Sequence, residues 1–172
     1  MNLKRAGLLF FLIALVLTVD FITKDYVHNT IPLMHWSSAF YPYGGIAVFE
    51  DWHGIGFSIN HVINKGAAWG MFASFQQVLL YLRIAVIGGL LTYLIFFPLS
   101  TARQIFFSLI VAGAIGNVLD YFIYGHVVDM FHFTFWGYTY PIFNVADSAI
   151  STGIVLVLIQ GFVQKFKKVE TV

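Results

Sequence analysis

Eight acidic residues in a chain of 172 can each be placed, and four of them carry most of the chemical information. Asp20, Asp120 and Asp147 each stand near one end of a long apolar run, and Asp129 lies in the short connection between the runs that hold Asp120 and Asp147. An ionisable residue inside a membrane is expensive and by default marks function. Two carboxylates held close cannot both ionise, so they share a proton and one pKa rises. One can then take a proton from water while the other protonates a carbonyl oxygen or a leaving amine. A proton relay in a carrier or channel uses the same ingredients, so the carboxylates alone leave hydrolysis and proton transfer both open.

Each carboxylate also has a structural reading. Asp20 and Lys24 are four apart and pair on one helix face. Asp120 can accept hydrogen bonds that fix a helix end, and Asp147 suits the positive end of a helix dipole. Asp129, between Val127-Val128 and Met130-Phe131, has no local partner. Rival sites are thin: there is no Gly-rich phosphate loop, serine nucleophile elbow or HExxH. His126, Asp129 and His132 have a spacing that suggests a metal, but on a strand it places both histidines on the face opposite Asp129. No metal and no organic cofactor are expected. Arg83, inside an apolar run, reads as a snorkelling side chain.

The elements that must position these groups are membrane helices. Apolar residues make up 59% of the chain and charged ones 10%, against a usual share of roughly half and a quarter. The mean hydropathy is +0.83. Such a chain has too little polar surface to cover a water-exposed globule. A net charge of +1 excludes nucleic acid as a partner, and zero Cys excludes disulfides, thiolate metal sites and a Cys nucleophile. Four runs approach the roughly 20 residues that span a bilayer: about 7–26, 75–97, 104–122 and 142–163. The first lacks a small-x-small cleavage site and reads as an uncleaved span.

Lys4 and Arg5, Arg103, and Lys165, Lys167 and Lys168 fall on one side, which the positive-inside rule makes the cytoplasm. Both termini are therefore expected inside, and the carboxylates gather at the outer face. Ser74 with Gln77 reads as a capping box opening span two, Pro98 as its end, and Asn144 with Asp147 as a similar start for span four. Ala112, Gly113 and Gly116 allow span three to approach a neighbour closely.

Two outer segments, about 27–74 and 123–141, join the spans. Phe57, Ile59, His61 and Ile63 alternate with Ser58, Asn60, Val62 and Asn64, and Phe131, Phe133 and Phe135 with His132, Thr134 and Trp136: both are strand periods. Asn64-Lys65-Gly66 offers a turn. The expectation is one membrane domain over residues 1–172, an all-α four-transmembrane-helix bundle with a small extracytoplasmic β-sheet.

Five short stretches, in order, then resemble a known family. They are Asp20-Phe-Ile-Thr-Lys24, Asn64-Lys-Gly66-Ala-Ala-Trp-Gly70, Gly116-Asn117-Val-Leu-Asp120, Val127-Val128-Asp129-Met-Phe and Phe143-Asn144-Val-Ala-Asp147-Ser148. Each is weak alone; five in order on a four-span chain resemble the lipoprotein signal peptidases (signal peptidase II). The resemblance implies an intramembrane aspartic endopeptidase of the bacterial cytoplasmic (inner) membrane, which cuts diacylglyceryl-modified prolipoproteins just before the lipidated Cys. By motif match it implies Asp129 and Asp147 as the catalytic dyad. It implies supporting or substrate-binding roles at Asp20, Lys24, Asn64, Gly66, Asn117, Asp120 and Asn144. It also implies a short mobile outer segment over the site, the lipid-modified prolipoprotein and the phospholipid bilayer as partners, and globomycin-type peptides as inhibitors.

One position departs from the pattern. The family usually has Arg directly after the residue matching Asp120, and this chain has Tyr121. A phenol offers one hydrogen bond where guanidinium offers a fixed cationic fork. The alternative reading is a small proton-coupled carrier or channel subunit that uses the same carboxylates as a relay.

Overall fold

The computed structural model describes residues 3–35, 41–66 and 70–169. Four long helices carry the chain: α1 (Leu3–Thr30), α2 (Gln76–Phe96), α3 (Thr101–Tyr124) and α4 (Val145–Val169). Each is long and apolar enough to cross a membrane. Large apolar side chains such as Phe10, Phe11, Tyr81, Ile95, Phe96 and Phe162 point outward, as lipid-facing surfaces do, because hydrocarbon is no worse a neighbour for them than protein.

The central helix is α3, which packs against α1, α2 and α4 and buries Val111, Ala112, Gly113, Gly116, Asn117 and Asp120. Its small residues explain the closeness. A Cβ on Gly116 would come within 2.6 Å of an Asp20 carboxylate oxygen, so only glycine lets α1 bring that carboxylate against α3.

Helix ends follow local chemistry. Asn144 and Asp147 form the expected reciprocal cap: the Asp147 amide donates to Asn144 Oδ1 at 2.8 Å, and the Asn144 amide to Asp147 Oδ2 at 3.4 Å. This cap starts α4 at Val145 rather than at 142. Ser100 accepts from the Arg103 amide and starts α3 at Thr101, three residues before the expected Gln104. Gly125, in the left-handed conformation at φ 77°, stops it. The expected Ser74 cap is not formed. Ser74 lies inside a single 3-10 turn, Ala73–Phe75, and Phe75 precedes α2 without a side-chain cap. Residues 36–40 and 67–69 of the outer segment expected over about 27–74 lie outside the described residues.

Four strands make one antiparallel sheet in the order β1 (Ile46–Trp52), β2 (Ile55–Asn64), β3 (Val127–Phe135) and β4 (Tyr138–Thr139). The two alternating stretches are β2 and β3; β1 and β4 were not legible as strands. Val128 and Met130 on β3 are fully buried against Val27 of α1 and Ile31 just past its end, and each such side chain contributes roughly 2 kcal/mol over exposure. That contact clamps the sheet to the end of α1. Between Ile59 and Val62 the register with β3 slips by one residue: Ile59 faces Phe131 and Val62 faces Asp129. The segment before α4 then returns to β3, where the amides of Met130 and Phe131 donate to the Phe143 carbonyl at 3.1 and 2.8 Å. This return sets the first turn of α4 beside Asp129.

Candidate active site

Asp129 is 2% exposed and takes its partners from two other elements. Asn64, at the end of β2, donates its side-chain amide to Oδ2 at 2.8 Å, and Asn144 donates to Oδ1 at 2.8 Å. Sequence distance hid both partners. Burial, and then the charge of Asp147, push the Asp129 carboxyl up to about 7, against the two asparagine hydrogen bonds and the charge of Lys24.

Asp147 is half-buried in the first turn of α4. Its Oδ1 accepts from the Asn117 amide at 2.7 Å, while Oδ2 belongs to the cap with Asn144. Asn144 is thus shared: its side-chain oxygen holds the Asp147 backbone, and its side-chain nitrogen holds Asp129. The same nitrogen also reaches Asn117 Oδ1 at 3.2 Å and the Val128 carbonyl at 3.3 Å.

Below this pair lies a buried ionic group. Lys24 Nζ, with no exposed surface, meets Asp20 at 2.7 Å, Asp120 at 2.8 Å and Asn117 Oδ1 at 3.1 Å. Asp20 accepts from the Ala146 amide at 2.8 Å, and Asp120 from the Val128 amide at 3.2 Å. So the local Asp20–Lys24 pair expected on α1 exists and does more. It neutralises a second carboxylate and grips the backbone next to both Asp129 and Asp147. Burying such ions is tolerated only when each is paired and hydrogen-bonded.

Every residue singled out by motif therefore joins one connected network. Gly66 enters through its amide, which donates to Asn64 Oδ1 at 2.9 Å. A Cβ on Gly66 would also run into the carbonyls of Met71 and Gly70.

Two cavities reach the two carboxylates, one at each. One of about 540 Å³ is lined by Asn64, Arg83, Asn117 and Asp147 among others. The other, about 490 Å³, reaches Asp129 past Lys65 and Ile63. Asn64, Tyr140, Pro141 and Ile142 form the wall they share. Arg83, read from the sequence as a snorkelling side chain, lines the first of these cavities. Its guanidinium donates to the Gly66 carbonyl at 2.8 Å instead of snorkelling away. Tyr121 is half-buried with its ring edge-on to Phe122, centroids 5.6 Å apart.

Four membrane-crossing helices with buried, hydrogen-bonded carboxylates beside two cavities define a membrane protein equipped for acid–base chemistry. The family model described as signal peptidase (SPase) II matches residues 12–163, and the chain belongs to that family. A lipoprotein signal peptidase of Chlamydia pneumoniae is 39% identical over 146 residues, covering 84% of this chain and 86% of its own length. One from Chlamydia trachomatis serovar L2 is 35% identical over 153 residues, 87% of each. A bacterial membrane enzyme solved by the in meso method at 2.3 Å resolution superposes with a TM-score of 0.78 at 28% identity, covering 94% of this chain and 92% of that one. The chain is a multi-pass membrane endopeptidase of the signal peptidase II type.

Proposed function

We propose that Asp129 and Asp147 are the catalytic dyad that cuts lipid-modified prolipoproteins before the lipidated Cys. The observation that carries this reading is Asn144, whose side-chain nitrogen holds the Asp129 carboxylate and whose side-chain oxygen holds the Asp147 backbone. Asn64 and Asn117 hold one oxygen of Asp129 and of Asp147 respectively, and the two aspartates line adjoining cavities. Asp129, with its raised pKa, starts protonated and serves as the acid, and Asp147 serves as the base. Asp147 takes a proton from water as the water oxygen bonds to the scissile carbonyl carbon, and Asp129 gives its proton to the carbonyl oxygen. On collapse of the diol, Asp147 passes its proton to the leaving amine. One diol hydroxyl returns a proton to Asp129, which restores the starting state.

The scissile segment must be extended to be cut. Among the described strands, β1 pairs with β2 only from Ile55 to Ile59, and Ile63, Asn64 and Lys65 line the cavity at Asp129. A substrate strand laid alongside them would gain main-chain hydrogen bonds. Asp20, Lys24, Asn117 and Asp120 act as supports that fix the dyad, and Gly66 and Asn64 border the substrate. In this reading both termini are cytoplasmic and the sheet lies on the outer face. Bilayer phospholipid surrounds the helices, and globomycin-type peptides compete for the cavities. A proton relay would need carboxylates spread through the membrane depth, whereas these cluster at the sheet-bearing end of the bundle.

The test is cleavage of a diacylglyceryl-modified prolipoprotein by the purified chain in detergent or lipid. Wild type should cut before the lipidated Cys. Asp129→Asn and Asp147→Asn should each lose activity by about a thousandfold or more while keeping the wild-type circular dichroism. A folded wild type that leaves this substrate intact would overturn the reading.

A further inference from the structure

Away from the dyad, three histidines from three elements meet. His28 is in the last turn of α1, His61 is on β2, and His126 lies between α3 and β3. Each brings a ring nitrogen to within 4.8 Å of the other two. The His28 ring centroid is 5.3 Å from that of His61 and 6.0 Å from that of His126.

Their hydrogen bonding is incomplete in one consistent way. His28 Nδ1, His61 Nε2 and His126 Nε2 are buried and have no hydrogen-bond partner. For His61 the tautomer follows from its other nitrogen. Nδ1 lies 2.9 Å from the Ile31 carbonyl, an acceptor only, so Nδ1 carries the hydrogen and Nε2 presents a lone pair. A backbone carbonyl holding one imidazole nitrogen is how metal-binding histidines are commonly oriented. Buried polar atoms without partners are uncommon and costly, and three converging nitrogens call for a shared occupant that accepts lone pairs.

The fold also explains why His61 is aimed there. The one-residue slip between Ile59 and Val62 places it at a bulge, and bulges re-aim side chains. Tyr124 completes the surroundings. Its hydroxyl is likewise buried without a partner, and its ring centroid is 4.6 Å from that of His28. The site arises from convergence that sequence spacing does not display.

We propose that His28, His61 and His126 bind one divalent transition-metal ion of the imidazole-preferring kind, with Zn²⁺ as its representative. Three nitrogens on Zn²⁺ at about 2.0–2.1 Å stand about 3.4 Å apart, so nitrogens now within 4.8 Å of one another close by at most about 1.4 Å, within the reach of their side-chain torsions. The ion ties the end of α1 to the β2 bulge and to the start of β3. Neutral imidazole donors favour Zn²⁺, Ni²⁺ or Cu²⁺ over Mg²⁺ or Ca²⁺, which prefer oxygen.

The experiment uses the full chain without an affinity tag, stripped with a chelator and titrated with Zn²⁺ by calorimetry, with thermal unfolding followed in parallel. Wild type should bind one equivalent with Kd at or below about 10 µM and unfold at higher temperature with the ion. Mg²⁺ should do neither. His28→Gln and His126→Gln should each weaken Zn²⁺ binding at least tenfold and remove the thermal shift, while their metal-free unfolding temperature and peptidase activity stay at the wild-type level. These two rings are half-buried, so the pair carries the test even if His61→Gln fails to fold. Folded wild type that shows no binding up to about 100 µM Zn²⁺ overturns the proposal. So does binding that persists unchanged in both variants, which would place the ion elsewhere. The readout is metal binding, so failure here and failure of the peptidase reading are separate results.

Discussion

Asn144 and Asp129 are joined side chain to side chain at 2.8 Å across fifteen residues of sequence, and the same asparagine caps the helix that carries Asp147. Capping needs only a short side-chain oxygen, which serine supplies; the grip on Asp129 needs the amide nitrogen. Asn144→Ser should therefore unfold within a few degrees of wild type while kcat/KM falls tenfold or more. Equal loss of both, followed by thermal unfolding and prolipoprotein cleavage, would mean that Asn144 serves only the helix end.

The raised pKa of Asp129 sets a direction for pH dependence. Its proton is held below about 7 and lost as pH rises through that value, so kcat/KM should fall about tenfold per pH unit on the alkaline side. The same shift acts on stability. The folded state binds this proton more tightly than the unfolded chain, whose value is 3.8. Its stabilising contribution is thus complete below 3.8 and lost as pH rises through about 7. A pH series of cleavage rates, with unfolding temperatures alongside, checks both.

Lys24→Met removes the only cation between Asp20 and Asp120 among the described residues. Two buried carboxylates then face each other uncompensated, and breaking a buried ion pair this way costs about 3–5 kcal/mol. The variant should be strongly destabilised in detergent. Adding Asp20→Asn and Asp120→Asn to it should recover a large part of the loss in thermal unfolding.

Arg83→Gln distinguishes a site role from snorkelling. Its bond to the Gly66 carbonyl braces the loop that also holds Asn64. Cleavage should drop about tenfold or more with little change in unfolding temperature. A lipid-facing arginine would leave cleavage unchanged.

Helix number and the two inner strands were legible because apolar runs and alternation are local signals. Asp129 and Asp147 could be singled out because their motifs survive as short strings. The geometry was not legible. Nothing in the sequence pairs Asn64 with Asp129, because that bond depends on the register of β2 with β3. β1, with its register irregularities, and the two-residue β4 carry little period to read. Arg83 looked like a membrane-edge residue because its partner is a backbone carbonyl, which leaves no trace in residue types. The histidine cluster was missed for the same reason: a bulge and a helix end bring it together.

The capping of α4 has a further consequence. Helix ends open at less cost than helix centres, and the first turn of α4 is held by the side chain that also ties the Asp147 backbone to the Asp129 carboxylate. When that turn frays, the bridge goes with it, although the packed bundle of α1, α3 and α4 is still intact. Heat should therefore silence this protein before it melts it.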